Sequence, residues 1–280
     1  MALVYLNGEY IPLEEARVSV LDRGFMFGDG VYEVIPVFNK NIFRFEQHIN
    51  RLSDSLRLIY MKNPLEQDEW KVIFKNLIDE TTDPDQFIYL QVTRGPAERD
   101  HSIYVADKPT VFVMNKPTGR SERSSGISAI THEDIRWEYC HIKATTLLAS
   151  VILRQKACEK NAVEAILFKQ DKVTEGAASN VFIVKDGHVR TPVKNKNILA
   201  GITRELVIEV LNDNDIPCSE DTVNLDELIQ ADEIWITSST WEIVPVTKLD
   251  NKKVGTGVPG EVYKKAVQVY EAYKKSVTSN

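Results

Sequence analysis

Glu175-Gly-Ala-Ala-Ser-Asn180-Val-Phe182, then Val189-Arg-Thr191, then Leu199-Ala-Gly201-Ile-Thr203-Arg204, is the stretch whose reading decides how this chain folds. Its first piece runs into Asn180–Val184, an apolar run of strand length. Asp186-Gly187 then marks a tight turn. The last piece opens onto Arg204-Glu-Leu-Val-Ile-Glu-Val-Leu211, whose apolar spacing is helical. A Gly-Ile-Thr turn at the head of a helix offers backbone N–H donors and a hydroxyl, the groups a phosphate needs. Upstream, Lys143 sits in Cys140-His-Ile-Lys143-Ala-Thr-Thr-Leu-Leu148. A lysine is ordinarily a solvated surface charge, and the small or apolar flanks set this one apart.

The 280 residues carry a net charge of −7, which argues against a nucleic-acid or anionic-membrane surface. Lys and Arg are scattered, with no basic block and no interleaved aromatic stripe. Cys140, Cys158 and Cys218 form no C-x-x-C pair, and an odd count does not suggest a disulfide framework. A reducing cytoplasm is the natural expectation. Met1-Ala-Leu-Val-Tyr5 lacks the basic start and long apolar core of a signal peptide. No apolar run approaches membrane-spanning length. Cys140-His141 has no second ligand pair at suitable spacing, so no metal is expected.

Working outward along the chain, Val4–Leu6 and Glu9–Ile11 flank Asn7-Gly8, a two-residue hairpin signal. Val31–Phe38 predicts a strand, Asn39-Lys-Asn41 a turn, and Ile42–Phe45 a further strand. Ile49, Leu52, Leu56 and Ile59 recur at helical spacing, which predicts a helix from about Glu46 that ends before Pro64. A second helix is expected over 66–81, and buried strands over 87–94 and 110–114. Residues 116–126, Lys-Pro-Thr-Gly-Arg-Ser-Glu-Arg-Ser-Ser-Gly, combine Pro, Gly, Ser and charge without apolar periodicity and read as a linker. It would divide an N-terminal α/β domain, 1–115, from a C-terminal domain, 127–280. Beyond it the pattern predicts a strand over 127–131, a helix over 147–160 and strands over 164–168 and 180–184. The helix after Thr203, a strand over 233–237 and an amphipathic helix from about Pro259 follow.

Together, Lys143 and the spaced elements from Glu175 to Arg204 resemble the signature of class IV aminotransferases, the fold-type IV enzymes that use pyridoxal 5'-phosphate (PLP). The resemblance implies a mixed α/β (α+β), two-domain fold with the cofactor in the inter-domain cleft. PLP is an electron sink held by a lysine Schiff base, with an acidic partner at its pyridine nitrogen. The resemblance gives Lys143 the Schiff-base role and proton transfer at the substrate Cα. It makes Glu175 the pyridine partner and puts Ile202 and Thr203 on the phosphate. Arg51, in Gln47-His-Ile-Asn50-Arg51-Leu52, would grip the same phosphate with its planar guanidinium. A hydroxyl cluster after a strand is often only a turn. In this family, however, the cluster matching Thr237-Ser-Ser239-Thr240 contacts phosphate and substrate, so Ser239 and Thr240 are phosphate candidates. Arg136, in Glu133-Asp-Ile-Arg136-Trp137, would belong to the polar network near the cofactor. Ser179, Leu199 and Ser238 complete the candidate set.

The substrate question turns on Thr93-Arg-Gly95-Pro-Ala-Glu-Arg99-Asp-His101. An Arg-x-His after a buried strand resembles D-amino-acid aminotransferases. There the arginine and histidine, with a tyrosine from near the N-terminus, bind the substrate α-carboxylate. The matching residues are Arg99, His101 and Tyr32, the last in Phe27-Gly-Asp-Gly-Val-Tyr32-Glu33. The likeness runs from about Val4 into the C-terminal helix and includes Asp22-Arg-Gly24 and Thr174-Glu-Gly176. It implies ping-pong transamination, through pyridoxamine phosphate, between a D-α-amino acid such as D-alanine or D-glutamate and pyruvate or 2-oxoglutarate. It further implies a homodimer in which the neighbouring subunit supplies the carboxylate-binding loop.

There are departures from that pattern. Thr146 replaces an asparagine three residues after the lysine, Ala177-Ala178 a more hydroxyl-rich pair, and Pro36 a bulkier polar residue. Trp241 stands where a smaller residue is common, so it either narrows the pocket or belongs to the core. These changes leave the side-chain range open, (R)-amines included. Branched-chain L-amino-acid aminotransferases share the signature but carry a tyrosine five residues after the lysine, where this chain has Leu148. Aminodeoxychorismate lyase also has leucine there, yet Arg99 and His101 argue against its bulky cyclic substrate. A PLP-binding protein without turnover is the alternative of a different class, against which the retention of Lys143 and Glu175 argues.

Overall fold

Asn7 and Gly8 both sit at positive φ, 52° and 104°. They turn Leu3–Leu6 (β1) back onto Glu9–Pro12 (β2), as the Asn-Gly pair predicts. This hairpin opens the first of two compact units in a computed structural model that describes residues 2–103, 108–118 and 123–279. The first unit comprises Met1–Gly119 and Ile142–Thr146, and the second Arg120–His141 and Leu147–Asn280.

The first unit adds Arg23–Phe27 (α1), Gly30–Phe38 (β3), Asn41–Ile42 (β4), Phe45–Leu58 (α2), Gln67–Asp79 (α3), Gln86–Thr93 (β5) and Thr110–Pro117 (β6). Its six-stranded sheet has the order β2-β1-β6-β5-β3-β4. Along β3, Val31, Glu33, Ile35 and Val37 are buried, the period-2 alternation of a strand with one face on a core. That core takes Ile49, Leu52 and Leu56 from α2 and Trp70, Phe74 and Leu77 from α3. Glu33 is the one charged side chain among the four inward β3 positions.

Several expectations need correcting in this unit. The strand expected over 42–45 stops at Ile42: Arg44 takes φ 56°, and Phe45 begins the helix with its ring buried. The linker expected over 116–126 is partly strand, since β6 runs through Pro117, while 119–122 lie outside the described residues. α1 carried no periodic signal because it has only five residues. Asp22 caps it by accepting from the Gly24 N–H at 2.8 Å, and Gly28 ends it at φ 68°. Residues 142–146, counted with the C-terminal domain in the sequence reading, extend the sheet of the first unit at β3. Tyr32 N–H donates to the Lys143 carbonyl and Thr145 N–H to the Gly30 carbonyl, both at 3.0 Å.

The second unit contains Ile127–Glu133 (β7), Leu148–Glu159 (α4), Glu164–Lys169 (β8), Lys172–Gly176 (β9), Asn180–Lys185 (β10), His188–Pro192 (β11) and Ile202–Asn212 (α5). Cys218–Asp221 (β12), Leu225–Ile229 (α6), Glu233–Ser238 (β13), Glu242–Leu249 (β14), Lys252–Lys253 (β15) and Glu261–Thr278 (α7) complete it. The sheet order is β12-β11-β10-β13-β14-β7-β8-β9, with β15 paired to β14. β10 is buried from Asn180 to Val184, which explains its continuous apolar run. Val181, Ile183, Ile234, Ile236, Val244 and Val246 fill one core. On the other face Phe182 stacks on Trp235, at 6.2 Å between centroids, and Trp235 meets Tyr263 edge-on at 6.1 Å. Among the described residues no helix is long and apolar enough to cross a membrane.

Candidate active site

Lys143 is held by its backbone. Its carbonyl accepts from Tyr32 N–H at 3.0 Å, and its own N–H donates to Ser55 Oγ on α2 at 3.3 Å. The Thr145 hydroxyl ties the next residues down by donating to the Gly28 carbonyl at 2.9 Å. The Lys143 side chain is half-buried, and its Nζ lies 4.2 Å from the Tyr32 ring centroid. The ring quadrupole steadies an ammonium there. Tyr32 in turn stacks on Tyr89 at 5.9 Å.

One residue after Tyr32, Glu33 points the opposite way, into the core. Arg51 grips it twice, Nε to Oε1 at 2.8 Å and Nη2 to Oε2 at 2.7 Å, and His48 Nδ1 meets Oε2 at 2.8 Å. Burial opposes ionisation of Glu33, but the charge and hydrogen bonds of Arg51 outweigh it and hold the carboxyl at about 2. Burial also pushes His48 down, against the pull of Glu33; facing a carboxylate that can only accept, its Nδ1 carries the hydrogen of that contact. Arg51 is thereby fixed on α2 beside the strand that carries Tyr32. Glu33 and His48 were absent from the sequence-derived site; the signal for Glu33 was a charge at an inward phase of an apolar strand.

Arg99 and His101 are exposed and come together on one ring, at 5.4 Å each from Phe27. Arg23 anchors the loop between them by donating to the Asp100 carbonyl at 2.6 Å, while its Nε donates to Asp29 at 2.8 Å. Arg94 grips the same Asp29 at 2.8 and 3.0 Å. Within one chain, then, Arg99 and His101 meet at Phe27, whereas Tyr32 faces Lys143 and Tyr89.

In the second unit the buried Glu175 on β9 is the centre of a polar network. Its Oε1 accepts from Arg136 Nη1 at 2.6 Å. Its Oε2 accepts from Asn180 Nδ2 at 2.9 Å and from the Leu199 N–H at 3.1 Å. Arg136 divides its charge, donating also to Asp134 at 2.9 and 2.8 Å and to the Asn197 carbonyl at 3.2 Å. The Thr174 hydroxyl donates to Asp134 at 2.9 Å. Burial pushes Glu175 up to about 7 despite Arg136. Burial also opposes the charge of Asp134, but the hydrogen bonds of Arg136 win and hold it below its usual range. Arg136 itself is held above its ordinary value, burial being outweighed by the two carboxylates. Asp134 and Asn180 were missed by the sequence reading, since their roles depend on register: Asn180 pairs with Thr237 across β10 and β13.

The same sheet end carries the remaining candidates. Gly201 caps α5 without a side-chain hydrogen bond, and Ile202 and Thr203 form its first turn, both buried. A Cβ at Gly201 would collide with the Asn180 side chain, so any other residue there would have to displace the amide that binds Glu175 and Leu199. Ser238 Oγ accepts from the Trp241 N–H at 3.2 Å; Ser239 is half-buried and Thr240 exposed. Ser179 turns instead to Glu164, donating to Oε2 at 2.9 Å.

Two observations fit a bound group with a cationic ring nitrogen and an anionic arm. Three of the roughly four lone-pair positions on the Glu175 carboxylate are taken, which leaves room for one more donor. A positive donor there would also offset the burial that drives Glu175 toward its neutral form. Thr237 Oγ1 is buried with no hydrogen-bond partner, beside the turn that holds Ser238–Thr240. A phosphate would satisfy it, together with the unpaired N–H groups expected at a helix start.

The model of the family Amino-transferase class IV matches residues 30–249, and the chain belongs to that family. It is therefore an aminotransferase of mixed α/β, fold-type IV architecture, a family served by pyridoxal phosphate. A D-alanine aminotransferase of Bacillus licheniformis is 40% identical over 99% of this chain and 97% of that protein. One from Staphylococcus epidermidis is 38% identical over 99% of both. A branched-chain amino acid aminotransferase of T.th., solved in complex with N-(5'-phosphopyridoxyl)-L-glutamate, is 26% identical with a TM-score of 0.87, over 99% of this chain and 94% of that one.

Proposed function

We propose that this chain transaminates between a D-α-amino acid, such as D-alanine or D-glutamate, and a 2-oxo acid, pyruvate or 2-oxoglutarate. What carries the reading is the full-length similarity to two D-alanine aminotransferases, at 40% and 38% identity. Pyridoxal phosphate supplies the electron sink for the charge left when Cα loses its proton. Every other part of the work falls to side chains.

Lys143 would form the covalent link to the cofactor and carry the proton to and from Cα. Its fixed backbone and its perch on Tyr32 support both roles. Glu175 would hold the pyridine nitrogen protonated, with Arg136, Asn180 and Leu199 orienting its carboxylate. Ile202 and Thr203 would offer phosphate contacts, with Ser239, Thr240 and Arg51. Ser179 and Ser238 would shape the surroundings through Glu164 and Trp241.

Tyr32, Arg99 and His101 would bind the α-carboxylate. A guanidinium suits it by charge and fork geometry, and a phenol adds a further donor. On the family resemblance, the protein would be a homodimer in which each subunit lends its 99–101 loop to its neighbour; in one chain Arg99 and His101 sit at Phe27, and Tyr32 beside Lys143. Anchoring the carboxylate fixes which Cα–H faces Lys143, and on this pattern that is the hydrogen of a D-amino acid. The first unit then corresponds to an N-terminal domain that also carries Lys143, and the second to the cofactor-binding domain. The net charge of −7 and the cysteine usage fit a cytoplasmic enzyme.

The test is a spectral half-reaction of the cofactor-loaded protein with paired D- and L-alanine, glutamate and leucine. Loss of the cofactor's visible absorbance with the D-acids alone is expected. Loss with L-leucine and none of the D-acids would replace this reading with a branched-chain L-amino-acid enzyme.

A further inference from the structure

In the second unit two guanidinium groups share one indole. Arg123 Cζ lies 4.1 Å and Arg154 Cζ 5.2 Å from the Trp241 ring centroid. Both arginines are half-buried, as is the tryptophan. Two like charges so placed repel, and the desolvated guanidinium of Arg123 is pushed down by burial and then by Arg154.

Among the described residues the acidic partner of this pair is Glu164, whose Oε1 is 3.4 Å from Arg154 Nη1. Glu164 is wholly buried and already accepts from the Ala165 N–H and the Ser179 hydroxyl, both at 2.9 Å. Arg154 Nη1 is itself buried and makes no hydrogen bond. Among the described residues the cluster therefore holds two positive charges against one negative, with a buried N–H unsatisfied. An idle surface arginine would swing into water, where its charge is screened and its donors are hydrated.

The pair borders the site already described. Trp241 donates its N–H to Ser238 in the Thr237–Thr240 turn. Behind Glu175, a Cβ at Gly176 would meet the Ser179 hydroxyl and stand 3.3 Å from the Glu164 carboxyl carbon. Trp241 also packs partly on the core of this unit, so the indole is a fixed platform.

We propose that Arg123 and Arg154, laid on Trp241, form an anion subsite for the side-chain carboxylate of a dicarboxylic substrate, a D-amino diacid or the matching 2-oxo diacid. The proposal rests on the transaminase reading above and deepens it. A guanidinium seated over an aromatic ring still carries N–H donors along its rim, and a pair of such donors matches a carboxylate's two oxygens. The indole covers the methylenes between the two carboxylates of such a substrate. Both features favour a carboxylate on a short chain over free phosphate, which has no apolar part.

The cofactor-loaded enzyme and its Arg123→Gln and Arg154→Gln variants decide the matter. Each variant should lower kcat/KM for D-glutamate by about tenfold or more while that for D-alanine stays within about twofold. Calorimetric titration with glutarate, butyrate and inorganic phosphate gives a readout independent of turnover. The wild type should bind glutarate more tightly than butyrate, and both variants should lose that preference. Arg154→Gln also strips Glu164 of its counter-charge, so Arg123→Gln, which leaves that pair intact, is the deciding variant. Equal losses for D-glutamate and D-alanine, no loss for either, or a preference for phosphate over glutarate would overturn the subsite. D-Alanine turnover without glutarate preference sinks the subsite alone. Glutarate preference without turnover of any D-amino acid sinks the transaminase reading and leaves the subsite standing.

Discussion

Arg136 donates to Glu175 at 2.6 Å, yet Glu175 is pushed up to about 7. The two facts agree once the other bonds of Arg136 are counted. A single guanidinium serves two buried carboxylates, and Asp134 takes the larger share with contacts at 2.9 and 2.8 Å. With both acids ionised, the trio would carry a net negative charge in a site poor in water.

Burial of Glu175 first, with this sharing only weakening the opposing pull of Arg136, sets a pH dependence for the protein stripped of cofactor. Glu175 has its folded pKa raised from 4.5 to about 7. A raised carboxyl favours the folded state below pH 4.5, and the advantage fades as pH climbs through 7. The loss across that window is at most about 3 kcal/mol. Urea midpoints at about pH 5 and about pH 8, on either side of the shifted value, measure it, and Glu175→Gln should flatten the difference. A wild-type midpoint that rises over this range would contradict the assignment.

In catalysis Glu175→Gln should separate binding from chemistry. An amide keeps the shape and the contacts to Asn180 but cannot hold a ring nitrogen protonated. Cofactor content by absorbance should stay near stoichiometric, while kcat drops by about 10²–10³-fold, the scale for losing one preorganised electrostatic group. Near-normal turnover would make Glu175 a structural residue.

Glu33 works in the opposite direction from Glu175. Its folded pKa is lowered from 4.5 to about 2 by Arg51 and His48. A lowered carboxyl stabilises the fold above pH 4.5, and that contribution of about 3 kcal/mol disappears as pH falls toward 2. Acid unfolding of Glu33→Gln should therefore lack most of the wild-type loss in this window. The variant should also bind cofactor more weakly, because Arg51 loses the fork that orients it. An unchanged acid limb would exclude Glu33 as its source.

Arg99→Ala tests the carboxylate site without touching a core. Arg99 is exposed and lies against the Phe27 ring, so the thermal midpoint should hardly move. The kcat/KM for D-amino acids should fall by about 2–5 kcal/mol in transition-state terms, the cost of stripping a desolvated carboxylate of its partner. Mixing Arg99→Ala with Lys143→Ala chains after mild dissociation should restore part of the activity, because one of the hybrid's sites would hold both native residues. No recovery from a stable mixed dimer would argue that each chain builds its site alone.

Much of the fold was legible where structure is local. Asn7-Gly8 demands positive φ, and the hairpin follows. The unbroken apolar run from Val181 to Val184 is a central strand because both of its faces are covered. Strands of weaker pattern were missed: β9 carries Lys172, Thr174 and Glu175 within five residues, and its burial comes from neighbours distant in sequence. β14 was obscured by Pro245, although its first five residues, Glu242–Val246, pair with β13.

The sequence by itself determined which residue types could do the chemistry, and the runs that carry them. Lys143, Glu175, Gly201–Thr203 and Arg99–His101 are short motifs, readable because their meaning is contained in a few adjacent residues. Only the tertiary structure decided their partners. It placed Ile142–Thr146 on the edge of β3 in the first unit. It turned Glu33 inward to Arg51 across 18 positions and brought Arg136 to Glu175 across 39. It also set Arg123 and Arg154 on Trp241. Helix and strand periods are properties of neighbours along the chain, whereas ion pairs and desolvation depend on strand register and burial, which exist only once the sheets have formed.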